Sequence, residues 1–147
     1  MKKRFIIMFT IMAISSIVFA SDADKYIADL DSQDENTVTQ AADWLGEKKE
    51  KKAANKLVAL LSDSRDGVRL HAVQALGYIG EKSYVDSLHQ VFLNDKNSTV
   101  RYATLLSLMK INDDKSKSVL RQAKETETDP FIVDLLTQLE AKDNKGK

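Results

Sequence analysis

The middle of the chain shows two successive helical patterns separated by a glycine. In each segment, apolar residues three or four positions apart form one stripe. The first stripe comprises Val68, Ala72, Ala75, Leu76 and Ile79, and the second comprises Val85, Leu88, Val91 and Phe92. Gly80 lies where the first helix must end, a position at which glycine is common. No window shows the alternation of a half-buried strand, so the sequence predicts an all-α protein.

The pattern recurs along the chain at a nearly constant interval. Leu45, Leu76 and Leu108 are separated by 31 and 32 positions. The same register places the dipeptide Val68-Arg69 on Val100-Arg101. Because several agreements share one register, they indicate an internal repeat.

The repeat predicts three helix pairs over residues 35–62, 66–93 and 98–125. A single helix at 23–31 precedes them, and a closing helix at 130–141 follows. One pair buries about eight apolar side chains, worth roughly 1.5–3 kcal/mol each. Ordering about thirty residues costs roughly 1–2 kcal/mol per residue. Since a lone pair cannot offset that cost, we expect residues 21–141 to form one α-solenoid of stacked pairs.

The unit resembles the HEAT repeat family, in particular the short HEAT-like repeats of phycobilin lyases. The resemblance rests on "DSRDGVRLHAVQALGYIG" at 63–80 and its echo "DKNSTVRYATLLSLMKIN" at 95–112. It implies a short right-handed superhelix of antiparallel helix pairs. The third unit departs from the pattern, because Met109 and Asn112 replace the two glycines of the second unit.

The N-terminus has the pattern of a signal peptide. Lys2, Lys3 and Arg4 precede an uncharged, mostly apolar run, and Ala20 ends a suitable cleavage site. We expect cleavage after Ala20 and export to the periplasm or the medium, with only transient membrane contact. The apolar run is shorter than the ~20 residues of a membrane-spanning helix, although an uncleaved anchor remains the alternative. At the other end, residues 142–147 are polar and are expected to be a disordered tail.

The charge of the mature chain argues against nucleic-acid binding. Removing residues 1–20 leaves 19 basic and 22 acidic residues, a net charge of −3. Nucleic-acid-binding domains usually carry a basic surface. The chain also contains no cysteine, so neither a disulfide nor a lipid-modified cysteine is available.

No catalytic or metal-binding motif is evident in the sequence. There is no G-x-S-x-G segment, cysteine nucleophile or phosphate-binding loop. The two histidines, His71 and His89, are followed by Ala72 and Gln90 rather than by the glutamate of the di-iron HEAT-like hydroxylases. The sequence therefore predicts a non-enzymatic chain without a metal or other cofactor.

Four charged residues at equivalent positions are predicted to have a structural role. Arg69 is equivalent to Arg101, and Asp63 is equivalent to Asp95. The resemblance implies that such residues form a ladder that ties one unit to the next, and arginine suits this task because it binds a carboxylate through two hydrogen bonds. The alternative is that these residues bind an anionic partner.

The second helix of each pair is predicted to present a polar face to a partner. The repeat register aligns its outward positions in columns. The predicted contact residues in these columns are Asn55, Asp86 and Ser118, then His89 and Arg121, then Gln90 and Gln122. By family resemblance this face lines the concave side of the stack. An ordinary solvated surface is the alternative.

Two functions from different classes follow. The favoured one is a non-catalytic protein-binding scaffold of the cell envelope, with another protein as its partner. The alternative is a lyase-like enzyme or enzyme subunit that binds a tetrapyrrole or a similar small ligand.

Overall fold

The computed structural model describes residues 21–145, with side chains described for residues 21–142. The predicted signal peptide at residues 1–20 lies outside the described residues. The described part contains eight α-helices and no strand, as the sequence predicts. The helices are α1 (Asp22–Asp29), α2 (Glu35–Glu47), α3 (Ala54–Leu60), α4 (Asp66–Ile79), α5 (Val85–Asn94), α6 (Ser98–Ile111), α7 (Asp114–Ala123) and α8 (Pro130–Lys145).

The helix ends follow from local sequence. Gly80 has a φ of 77° and ends α4 in the left-handed conformation, as predicted. Asn112, its equivalent in the next unit, ends α6 with a φ of 52°, because asparagine tolerates that conformation better than most residues. Pro130 begins α8, and α8 continues to Lys145, beyond the predicted end at residue 141.

The helices form two layers that repeat one packing scheme. The even-numbered helices pack side by side in one row, α2 on α4, α4 on α6 and α6 on α8. Each odd-numbered helix packs on the even-numbered helix that follows it in the chain, so α1 contacts α2, α3 contacts α4, α5 contacts α6 and α7 contacts α8. Leu45, Leu76 and Leu108 all have 0% exposure. The three repeated leucines belong to one continuous core, as stacking of the units requires.

Small residues set the spacing of the even-numbered row. A Cβ atom at Gly46 would lie only 2.7 Å from the Cα atom of Ala75, and a Cβ at Gly77 would collide with Ser107. Gly46 is equivalent to Gly77, and Ala75 is equivalent to Ser107. The same glycine contact thus recurs between α2 and α4 and between α4 and α6, which lets these backbones approach closely.

No helix within residues 21–145 is long and apolar enough to cross a membrane.

Candidate partner-binding face

Two largely buried arginines join successive helix pairs through the same contact. Arg69 donates from Nε and Nη2 to the two carboxylate oxygens of Asp95, at 2.7 and 3.0 Å. One unit later, Arg101 donates in the same way to Glu127, at 2.9 and 2.7 Å. Each arginine also donates from Nη1 to a backbone carbonyl six residues earlier, that of Asp63 or Asp95. The contacts form a ladder between units rather than an open anion site, because each guanidinium is already occupied.

Glu127 belongs to this ladder although the sequence did not single it out. It lies 32 positions after Asp95, so its place follows from the repeat register. The fourth unit matches the repeat weakly, and the change from aspartate to glutamate hides the equivalence.

Asp63 departs from the expected arrangement. Its carboxylate accepts from Arg65 in its own loop, at 2.8 and 2.7 Å, and not from an arginine of the preceding pair. The reason is that Val38 occupies the position equivalent to Arg69 in the first pair. Arg65 supplies the link backwards instead, because its Nη1 donates to the Gln33 carbonyl at 3.0 Å.

The acidic members of this network are held in their charged form. The hydrogen bonds from Arg65 lower the pKa of Asp63 to about 2. Burial raises the pKa of Asp95, but the hydrogen bonds from Arg69 and from the Asn97 backbone outweigh it, and the net pKa lies below the ordinary value. The hydrogen bond from Arg101 likewise lowers the pKa of Glu127.

A second set of ion pairs repeats on the surface. Lys51 pairs with Glu81, and Lys82, its equivalent one unit later, pairs with Asp113 at 3.7 Å. Glu81 and Asp113 are also equivalent positions. Exposed pairs of this kind each contribute little to stability. Their recurrence therefore shows that the repeat register extends to the surface, and it is not a main source of the stability of the stack.

Most of the predicted contact residues lie exposed on the odd-numbered helices. We define the odd face as the exposed positions of α3, α5 and α7 among them: Asn55, Asp86, Gln90, Ser118, Arg121 and Gln122. All three helices contribute at the register position of Asn55, Asp86 and Ser118, and α5 and α7 also share the position of Gln90 and Gln122, so the face extends along the stack. The side chains are polar and chemically varied, which is typical of the adaptable rim of a protein interface.

His89 does not belong to the odd face, and this part of the prediction is wrong. Its side chain is buried, with 6% of the residue exposed, and Nε2 lies 3.0 Å from the Ser116 hydroxyl on α7. Burial lowers the pKa of His89. The repeat register correctly made His89 equivalent to Arg121 of α7, but α5 and α7 pack directly on each other at this level and enclose the His89 side chain. His89 therefore helps to join α5 to α7.

Comparison with known families decides the classification. The family model described as HEAT repeats matches residues 23–90 and 56–139, nearly all of the described chain. The chain belongs to the HEAT repeat family. A search of curated proteins found no match. HEAT repeats generally mediate protein–protein interaction and scaffolding, and the family is typically non-enzymatic.

The last contact in the even-numbered row differs from the two before it. At the positions where the earlier HEAT units pair glycine with alanine or serine, α6 and α8 carry Met109 and Leu139. These large side chains cannot approach as a glycine does. A groove of about 650 Å³ lies between α6, α7 and α8, and both residues line it. The absence of this glycine contact in the third unit therefore explains why the groove lies between α6 and α8.

A smaller groove lies on the outer side of the even-numbered row. It has a volume of about 370 Å³ and is lined by α2, α4 and α6. His71 Nδ1 lies 2.6 Å from the Asp43 carboxylate across it, and the Lys110 ammonium lies 3.5 Å from the centre of the Tyr78 ring. These contacts bind neighbouring HEAT units to each other, and they leave little free polar chemistry in the groove.

Among the described residues, no three histidine, aspartate or glutamate side chains are grouped so that they could hold a metal ion.

Proposed function

We propose that this HEAT protein is a non-catalytic scaffold of the cell envelope that binds another protein along the odd face. The observation that supports this most directly is the set of exposed polar side chains that successive odd-numbered helices, α3, α5 and α7, present along the stack. Their backbone positions are fixed by a continuous core, so the face is presented without a large ordering cost on binding.

The envelope location is supported by the N-terminal sequence. A basic start, an apolar run and the cleavage motif ending at Ala20 are together typical of an exported precursor. α1 begins at Asp22 and is capped by Ser21, so cleavage after Ala20 would leave every described helix complete. Fractionation of cells followed by mass determination tests this directly. A mature protein starting at Ser21 in the periplasm or medium is expected, and an uncleaved protein in the cytoplasm would contradict it.

The odd face can be tested by matched triple variants. The first carries Asp86→Ala, Gln90→Ala and Gln122→Ala, all exposed residues of α5 and α7. The control carries Gln40→Ala, Gln74→Ala and Asp134→Ala, which are exposed residues of the same types on the even-numbered helices. Both variants should melt near the wild-type temperature, since exposed substitutions usually change stability little.

The assay is quantitative capture of a partner from an envelope extract. Wild type and the control variant should capture the same protein in similar amounts, and the odd-face variant should capture it at least several-fold less. Equal capture by both triple variants would refute the odd face as the binding surface. His89 is left unchanged, because its replacement would disturb the junction of α5 and α7.

Titration with a tetrapyrrole separates the scaffold from the lyase-like alternative. The scaffold proposal expects an unchanged absorbance spectrum of the pigment. A saturable spectral shift would favour a ligand-binding role instead.

A further inference from the structure

The groove between α6, α7 and α8 has an apolar floor that is partly open to solvent. Met109, Leu120 and Leu139 are only half-buried there, and Leu136 lies beneath them. Apolar groups left accessible in a concave site favour an apolar ligand surface.

The rim of this groove is basic, in contrast to the chain as a whole. Four cationic side chains line it: Lys117, Arg121, Lys124 and Lys142. The acidic lining residues are Asp113 and Glu140. Lys124 pairs with Glu140 at 2.7 Å, and Asp113 lies 3.7 Å from Lys82. Lys117 pairs with Asp114 at 3.0 Å. The excess positive charge of the groove therefore rests on Arg121 and Lys142, whereas the mature chain has a net charge of −3.

Two of the rim cations form no salt bridge within the described part of the chain. Among residues 21–142, neither Arg121 nor Lys142 forms a side-chain hydrogen bond or salt bridge. The positive field of Arg121 reaches the groove, since the pKa of Glu140 is lowered mainly by the Lys124 hydrogen bond and further by the charge of Arg121. A cation that forms no salt bridge, beside an apolar floor, suits a ligand that is apolar on one side and acidic on the other.

We propose that this groove binds an acidic amphipathic segment of the partner protein. The apolar side chains of that segment would lie on the floor of the groove, and its carboxylates would pair with Arg121 and Lys142. This inference rests on the proposed scaffold function and names one element of the partner. The groove adjoins the odd face at Arg121, so a partner lying along that face would reach it. Amphipathic segments commonly dock in apolar grooves in this way, with anchors at helical spacing.

The test uses the full mature protein and defined peptides in fluorescence anisotropy. The probe is a labelled 14-residue peptide with leucine at helical spacing and glutamate at the other positions. Two control peptides are used. One has lysine in place of every glutamate, and the other has the same composition as the probe in a scrambled order, so that no apolar face forms.

The variants reverse the two rim charges or two charges elsewhere. Arg121→Glu with Lys142→Glu should weaken binding of the acidic amphipathic peptide by about tenfold or more, because attraction becomes repulsion. Lys48→Glu with Lys52→Glu makes the same change in net charge at two exposed residues at the other end of the chain, and it should leave binding within about twofold of wild type. Met109→Trp, which fills the floor, should also weaken binding.

Each result bears on the proposal. Tight binding of the amphipathic acidic peptide alone, lost in the rim variant, supports it. Equal binding of the lysine peptide, an equal effect of both charge-reversal pairs, or no binding at millimolar peptide would overturn it. If sedimentation shows a dimer that the rim variant dissociates, the occupant is a second copy of the chain and the proposal is wrong. The peptide measurement does not use the odd-face variants, so failure of partner capture and failure of the groove can be told apart.

Discussion

Replacing Arg69 by alanine should destabilise the protein more than the replacement of any other single charged residue in its unit. The guanidinium contacts both oxygens of Asp95, the Asp66 carboxylate at 2.7 Å and the Asp63 carbonyl at 2.8 Å. Only 8% of the Arg69 side chain and 5% of the Asp95 side chain are exposed. The substitution therefore leaves a buried carboxylate without its cation.

The magnitude follows from that stranded charge. Removing one partner of a buried ion pair costs roughly 3–5 kcal/mol, a large part of the ~5–15 kcal/mol that stabilises a typical domain. For a domain of this length each kcal/mol lowers Tm by roughly 3–5 °C, so we expect a fall of roughly 10–20 °C. The Arg69→Ala, Asp95→Ala double variant should lose less than the sum of the two single variants, because it strands no charge.

The assay is thermal unfolding followed by circular dichroism, with urea unfolding for the free energy. Lys115→Ala is the control, since Lys115 lies 3.9 Å from Asp86 and both side chains are more than 70% exposed, at 73% and 79%. That exposed pair should contribute less than about 1 kcal/mol. If Arg69→Ala lowers Tm no more than Lys115→Ala, the ladder does not stabilise the stack. A loss of partner binding at unchanged Tm would instead favour the anion-binding alternative.

Three further predictions concern packing and pH. Gly46→Ala should lower the free energy of unfolding by about 1–2 kcal/mol in urea unfolding, because the added methyl group meets the backbone of α4. Gly67→Ala should be neutral or slightly stabilising, because its methyl group meets only the flexible Glu35 carboxylate. Similar effects of the two substitutions would refute the close-contact argument. Because the pKa of Asp63 falls from 3.8 to about 2 on folding, its contribution to stability is present above pH 4 and is lost as the pH falls towards 2. Asp63→Asn should therefore make the free energy of unfolding, measured in urea, depend less on pH over that range. Because burial lowers the pKa of His89 from its ordinary 6.5, the unfolded chain binds more protons and stability should fall as the pH drops below 6.5, a slope that His89→Gln should remove.

The sequence was sufficient for the architecture because the repeat is encoded at many positions at once. The stripes, the glycine at position 80 and the single proline each mark a helix or its end independently of tertiary contacts. The register then transfers each assignment to the neighbouring units. For this reason the predicted helix bounds and the observed helices agree closely. The predicted pairing is wrong, because α3, α5 and α7 each pack more on the helix that follows in the chain than on the helix before it.

The site was predicted less completely, and the errors have physical causes. Register gives the position of a residue on its helix but not the distance to the next helix, so His89 was placed on the surface although α7 covers it. A missing arginine in the first unit left Asp63 to pair locally with Arg65. The groove at α8 depends on how far Met109 and Leu139 hold two helices apart, which no single-helix pattern contains.

Because the chain contains no cysteine, spin labels can be placed at introduced cysteines without background. Asp43, Gln74 and Leu106 are exposed equivalents on α2, α4 and α6. Packed helices lie roughly 8–10 Å apart, so pairwise electron-spin distances should be similar for 43–74 and 74–106 and about twice as long for 43–106. Three nearly equal distances would mean a closed bundle and would contradict the stack of helix pairs.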